Sequence, residues 1–213
     1  MFFFNKNSPP AEAYLRCFHA LPNSQSVDVY LDKKRWIKDF LYEDFSDYMP
    51  LTSGNHHIAF CPHGMIEPFY ERDFWIARHK IYTLILSYLP GSETPQGYLI
   101  NEPPKAIPEE HLLLRVANFS QLMEPSQLEL METKPFFKKV PLRQCSHYLA
   151  FSPLTACIQW FSPNAQAPLL TSPPLTFKVT RYYTLYLIGA LPDYPLKCIQ
   201  TIDGNAFLHF PKE

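Results

Sequence analysis

Leu15-Arg16-Cys17-Phe18-His19 and Leu114-Arg115-Val116-Ala117-Asn118 decide the fold, because the second stretch answers the first about 99 residues later. Further counterparts follow in the same order. Val27-Asp28-Val29 matches Leu128-Glu129-Leu130, and Ser46-Asp47-Tyr48-Met49 matches Ser146-His147-Tyr148-Leu149. Ile58-Ala59-Phe60 matches Ile158-Gln159-Trp160, and Tyr82-Thr83-Leu84 matches Tyr183-Thr184-Leu185. An offset of about 99–102 residues kept through every segment identifies an internal repeat. The 213 residues are therefore expected to form two units, at 11–102 and 111–204, with tails at 1–10 and 205–213. Between them, 103–110 contains Pro103, Pro104 and Pro108 and reads as a short, stiff spacer.

Within each unit the hydrophobic period is two. Val27, Val29 and Leu31 alternate with Asp28, Tyr30 and Asp32, and Leu128 and Leu130 flank Glu129, so one face is buried and the other wet. Ile81-Tyr82-Thr83-Leu84-Ile85-Leu86 is apolar on both faces, as suits a central strand covered from both sides. About seven short strands per 90 residues, separated by turns, predict an all-β chain of two tandem antiparallel, immunoglobulin-like β-sandwiches. Composition agrees: 22 Pro against 6 Gly favour short strands and rigid turns over long helices, with Pro50, Pro62, Pro68, Pro90, Pro163 and Pro192 guarding strand ends.

Leu15-Arg16-x-x-His19-Ala20-x-Pro22-Asn23, Val27-Asp28-Val29-Tyr30, Ser46-Asp47-Tyr48-Met49-Pro50-Leu51-x-x-Gly54 and Tyr82-Thr83 together resemble the bacterial family called domain of unknown function 4397. The resemblance covers the chain as two copies, specific in the first and faded in the second. It implies β-sandwich domains, often of surface or secreted proteins, with no established catalytic activity. The chain departs from the family pattern at Lys33 or Lys34, near His79 and at Thr180, where turn glycines are expected, and at Asn118, which stands where the first unit has His19.

Several function classes drop out. The closest glycines, Gly91 and Gly97, fit neither phosphate-loop spacing. A net charge of −1 gives nothing to steer a polyanion, so nucleic acid is not an expected partner, and Lys33-Lys34-Arg35-Trp36-Ile37-Lys38 reads as a solvated hairpin tip. The apolar runs Ile81–Leu89 and Tyr182–Leu191 are about half the ~20 residues that cross a bilayer, so no membrane insertion is expected. Three apolar residues at Phe2-Phe3-Phe4 do not make a secretory core. Five cysteines without C-x-x-C suggest synthesis in a reducing cytoplasm, with later use in a surface or spore layer left open. Asn118-Phe119-Ser120 is a glycosylation sequon that means nothing without secretion.

Candidate chemistry is sparse, and no cofactor is expected. His56-His57-x-x-x-Cys61-x-His63, with Glu67 beyond, is the one metal-like cluster: His57 and Cys61 share a strand face and His63 follows in the turn. The same three residues would centre a metal- or cysteine-dependent hydrolase, whereas Cys61 as a small core hydrophobe is the structural alternative. Ser46, His147 and Asp47 have the residue types of a hydrolytic triad but no framing motif. His19 is expected to bond turn backbone or Asp28, and Tyr48 and Tyr148 to act as structural tyrosines capping a loop. Trp36, with Tyr30 and Arg35, is the candidate exposed aromatic site for a protein partner or a polysaccharide. The expected function is a non-enzymatic structural or interaction module, through a protein partner or self-assembly, with carbohydrate binding as the alternative.

Overall fold

The computed structural model describes residues 12–122, 137–162, 165–190 and 193–210, and the backbone of 126–130. The start at Met1–Asn7, Pro163, Asn164, Pro192 and the side chains of Leu128, Glu129 and Leu130 lie outside the described residues. The period-two segments form strands. The first half contains β1 (Ala13–His19), β2 (Val27–Leu31), β3 (Lys34–Phe40), β4 (Met49–Leu51), β5 (Gly54–Pro62), β6 (Tyr70–Ile76), β7 (Lys80–Tyr88) and β8 (Pro95–Asn101). The second contains β9 (Leu112–Asn118), β10 (Ser126–Leu130), β11 (Phe137–Val140), β12 (Gln144–Cys145), β13 (Leu149–Phe151), β14 (Leu154–Ala156), β15 (Ile158–Phe161), β16 (Leu170–Thr171), β17 (Leu175–Phe177), β18 (Tyr182–Ala190) and β19 (Tyr194–Ile202), followed by a 3-10 turn at Gly204–Ala206. Among the described residues no helix is long and apolar enough to cross a membrane.

The first half pairs an outer sheet, β3-β2-β5-β6, with an inner one, β4-β1-β7-β8. The second pairs β11-β10-β15-β16 with β12-β9-β18-β19, and adds the ribbon β14-β17. Pairing is antiparallel except where β1 lies parallel to β7 and β9 parallel to β18. Alternation then assigns faces. In β1, Leu15 and Cys17 enter the first core with Val29, Phe60 and Leu84, while Phe18 turns away from it. In the second half Leu114, Val116, Trp160 and Leu185 fill the equivalent core.

The faces that the inner sheets turn outward meet each other. Phe18, Ala20 and Ile85 of the first half pack on Ala117, Phe119, Tyr186 and Ile188 of the second, all fully buried. Phe18 stacks on Phe45 with centroids 4.0 Å apart, and Tyr186 leans on both. This seam explains why β7 and β18 are apolar on both faces, since each is sandwiched between a core and the other half.

Turn chemistry follows the sequence departures. Asp32 and Lys33 both have positive φ (48° and 66°), so the β2–β3 hairpin turns through two left-handed residues, a type that favours glycine at the second position. His79 (57°) and Thr180 (55°) hold the equivalent left-handed place before β7 and β18. Pro50 sits in the three-residue edge strand β4, Pro62 ends β5, and Pro68 and Pro90 flank β6 and β7. The spacer is tied to the second half, because Lys105 Nζ donates to the Tyr148 carbonyl (2.8 Å) and its own carbonyl accepts from the Tyr182 hydroxyl. Residues 205–210, expected from sequence to be a tail, instead return to the first half: Asn205 donates to the Glu102 carbonyl (2.7 Å), and Phe210 packs on Tyr14 and His79.

A left-handed conformation costs a non-glycine residue about 1–2 kcal/mol, part of which glycine returns through unfolded-chain entropy. Lys33→Gly is expected to raise stability by up to ~1 kcal/mol in a denaturant titration; a lower midpoint would contradict the turn geometry.

Candidate functional site

Each half carries one arginine in the middle of its first strand, Arg16 in β1 and Arg115 in β9, and both side chains are buried. Their positions in otherwise apolar strands demand partners, since an unpaired buried charge costs several kcal/mol. The partners are Glu102 and Asp203, each just beyond the last strand of its half. Arg16 donates from Nε to Thr83 Oγ1 (2.9 Å), from Nη1 to Thr201 Oγ1 (2.8 Å) and the Ile202 carbonyl (3.1 Å), and from Nη2 to Asp203 Oδ1 (3.0 Å). The same Nη2 lies 3.4 Å from Glu102 Oε1. Arg115 donates from Nε to Thr184 Oγ1 (2.8 Å) and from Nη1 to the Asn101 carbonyl (2.9 Å), with Nη2 3.3 Å from Asp203.

The arrangement is two-fold in pattern. Each arginine bonds the threonine of the adjacent strand in its own half and reaches across the seam to a backbone carbonyl of the other half. Each threonine hydroxyl in turn donates a hydrogen bond to a carboxylate, Thr83 to Glu102 (2.6 Å) and Thr184 to Asp203 (2.6 Å). Tyr48 donates to Glu102 (2.7 Å) and Tyr148 donates to Asp203, while Arg16 and Arg115 each lie 4.8 Å over the ring of the tyrosine in their own half. Both tyrosines hold buried carboxylates, and the Tyr48 hydroxyl in addition caps the turn after β19 by accepting from the Gly204 N–H (2.9 Å). Burial opposes the charge on Arg16, but Glu102, Tyr48, Tyr186 and Asp203 outweigh it and hold the guanidinium above its usual value. Burial and Asp203 push the Glu102 carboxyl up, against the pull of both arginines.

The other candidates disperse. His19 is fully buried; its Nδ1 accepts from the Leu21 N–H (3.3 Å) and its Nε2 meets Ser24 Oγ (3.1 Å). It serves turn backbone, and Asp28 is engaged elsewhere, with the Asp39 N–H (2.9 Å), His63 Nδ1 (2.8 Å) and Arg35 (3.8 Å). Asn118 does the work of His19 in the second half, its Oδ1 accepting from the N–H (3.3 Å) and hydroxyl (2.7 Å) of Ser120. Burial drives the His19 ring down to about 4. Ser46 and Ser146 likewise share one role, accepting the Cys17 and Val116 N–H groups, and no triad forms from Ser46, His147 and Asp47.

The metal-like residues do not converge. His57 sits between Asp73 (2.8 Å) and Glu71 (3.1 Å), which raise its pKa; His56 turns to Asp32 (2.7 Å); His63 goes to Asp28. Cys61 is buried beside the Ile66 carbonyl, and burial pushes its thiol up, opposite to what a nucleophile needs. Among the described residues no group of three or more His, Cys, Asp or Glu could hold a metal. Trp36 is half-buried against the first core, so it is not the exposed tryptophan that the sequence suggested; that is Trp75, 68% exposed on edge strand β6. In Phe74-Trp75-Ile76 three apolar residues run together, so alternation could not say which faces out. The neighbours of Trp36, Tyr30 and Arg35, are paired in register across the β2–β3 hairpin.

The family model described as "Domain of unknown function (DUF4397)" matches residues 13–125, more than half of the chain, and the chain belongs to that family. No curated protein matches its sequence. Among solved structures, one from a study of alpha-glucan recognition by family 41 carbohydrate-binding modules of streptococcal virulence factors is 11% identical, covering 82% of this chain and 92% of that one, with a TM-score of 0.26.

Arg16 makes four hydrogen bonds and Arg115 two. Arg16→Met is therefore expected to cost about 3–5 kcal/mol of unfolding free energy and Arg115→Met less; the reverse order in chemical denaturation would refute the assignment. His19 titrates near 4 when folded and near 6.5 when unfolded, so acid favours the unfolded chain: the stability present above pH 6.5 is lost as pH falls toward 4. His19→Asn keeps the acceptor for the Leu21 N–H and removes the titration. Between pH 6.5 and 5 the wild type should lose about 1.6 kcal/mol more than this variant; parallel pH profiles would show that His19 is not buried as described.

Proposed function

We propose that this member of the domain of unknown function 4397 family is a tandem pair of sandwiches whose second unit is a diverged copy of the first, and that it works without catalysis as a structural or protein-interaction module. The observation that carries this is the sealed arginine–carboxylate cluster. Its carboxylates, the Arg16 guanidinium and the hydroxyls of Thr83, Thr184, Tyr48 and Tyr148 are committed to one another and to fixing one half against the other, the use expected of a rigid spacer and not of a substrate site. The duplication is supported by the equivalent strand orders, by Arg16 with Arg115, Thr83 with Thr184 and Tyr48 with Tyr148 in matching roles, and by left-handed residues recurring about 100 positions apart at Asp39 and Lys139, and at Glu43 and Arg143.

The outer sheet of the first half offers contact surface. Trp75 is exposed there, and Met65 (59%), Ile66 (90%) and Phe69 protrude from the loop before β6. Large exposed side chains of this kind anchor protein partners. In keeping with the surface bias that the family resemblance implies, the module is made in the cytoplasm and assigned to a bacterial surface or spore layer. The exposed Trp75 also favours a second reading, in which its ring stacks on polysaccharide.

Cell fractionation coupled to affinity capture tests the main reading. Wild type is expected in the surface or layer fraction with a retained partner or copies of itself, and Ile66→Ser with Trp75→Ala should abolish retention without lowering the melting temperature. Uniform cytoplasmic distribution with nothing retained would sink it. Quenching of tryptophan fluorescence by polysaccharide, lost in Trp75→Ala, would favour the second reading.

A further inference from the structure

The strands that build the seam end together. β1 and β7 finish at His19 and Tyr88, β9 and β18 at Asn118 and Ala190, and the turns that follow enclose a cleft of about 320 Å³ between the two halves. The first half supplies Asn23, Tyr88 and Glu93, and the second supplies Gln121, Asp193 and Tyr194. The volume falls within the range of small-molecule pockets.

The cleft is braced. Tyr88 donates its hydroxyl to the Pro22 carbonyl (3.1 Å), and Tyr194 donates across the seam to Asn23 Oδ1 (2.6 Å). Both tyrosine hydroxyls are thus spent on holding the walls, which leaves the half-buried rings as apolar surface. The polar groups that remain have opposite needs. Glu93 and Asp193, the two charged residues of the lining, are exposed carboxylates that accept hydrogen bonds. The Gln121 amide carries a buried Nε2 donor that no atom of the described residues accepts, an unfavourable state that an incoming acceptor relieves. The last torsion of a glutamine is soft, so this amide can turn to meet one.

These demands select a ligand class. An anion would satisfy Gln121 but be repelled by the two carboxylates. An ammonium group would satisfy the carboxylates but has no lone pair for Gln121. A hydroxyl donates and accepts at once, and the carbon face of a sugar ring packs on tyrosine. We propose that the seam cleft binds a neutral, hydroxyl-rich ligand, a mono- or short oligosaccharide, with Glu93 and Asp193 accepting from its hydroxyls and Gln121 donating to one of them.

The site is independent of the module reading and of the outer face that carries Trp75. Saturation-transfer NMR on the full chain tests it with glucose, galactose, mannose, N-acetylglucosamine and their linear trisaccharides as probes. At least one is expected to bind. Gln121→Leu and Asp193→Ala should each weaken that binding by about tenfold and leave the melting temperature near that of the wild type, because neither side chain makes a hydrogen bond among the described residues. Trp75→Ala should leave it unchanged. The proposal is overturned if no probe binds, if binding ignores both cleft variants, if Trp75→Ala abolishes it, or if spermidine or inorganic phosphate occupies the cleft in place of the sugars.

Discussion

Four charges closed off from water, Arg16, Arg115, Glu102 and Asp203, set the constraint on which the rest of the molecule depends. In apolar surroundings their separation is costly and their mutual neutralisation is needed for folding at all. Each half alone contains one cation and one anion, but the arginines satisfy themselves partly across the seam, at Ile202 and Asp203 for Arg16 and at Asn101 for Arg115. Neither half can therefore bury its arginine fully without the other in place. The inner sheets are held back to back in one register by directional bonds, whereas the apolar packing of Phe18, Phe45, Phe119 and Tyr186 around them is tolerant of small slides.

Directional bonding at the centre also places the segment after β19. Residues 203–210 stay on the fold: the Gly204 N–H bonds Glu102 (2.8 Å), and Phe207 and Phe210 cross to Tyr14, Tyr48 and His79 of the first half. Gly204 has no room for a side chain there, since a Cβ would meet Ile81, Tyr48 and Leu208 at 2.8–3.1 Å. Gly204 and Asn205 of the second half thus complete the cover over Glu102 of the first. Lys197 paired with Glu43 (2.6 Å) and Arg143 bonded to the Tyr88 carbonyl (2.7 Å) extend the cross-seam contacts outward.

A seam of this kind fixes where function can reside. Its centre is buried and its carboxylates are held by the arginines, threonines and tyrosines around them, so accessible side chains lie at the far ends of the strands and on the outer sheet. The cleft beside Tyr88 and Tyr194 lies at one such end, and Trp75 with Ile66 lies on the other kind of surface. The histidines that could have made a metal site, His56, His57 and His63, are each held by a carboxylate on the first half's outer sheet and stabilise hairpins instead.

By itself the sequence marked most of the strands, because period-two alternation and turn residues are local signals: β1, β2, β3, β5 and β7 of the first half and β9 and β18 of the second follow its apolar pattern closely, whereas the short edge strand β4 and the polar starts of β6 and β8 do not. It also marked Tyr48 and Tyr148 as structural tyrosines at one offset, whereas Asn118 read as a departure from His19 and only the structure shows both serving the turn that follows their strand. Arg16 and Arg115 carried a readable signal too, a charge repeated inside an apolar strand, but their partners did not: Glu102 and Asp203 stand near the far ends of the two units, with nothing local to link them to a first strand. Only the tertiary structure decided that pairing, because the contacts join residues as much as 187 positions apart across two sheets. It likewise decided that Trp75 and not Trp36 faces water, and that Cys61, His57 and His63 stay apart. Alternation says which side chains share a face of one strand; which neighbours that face meets is settled by sheet order and by packing between halves.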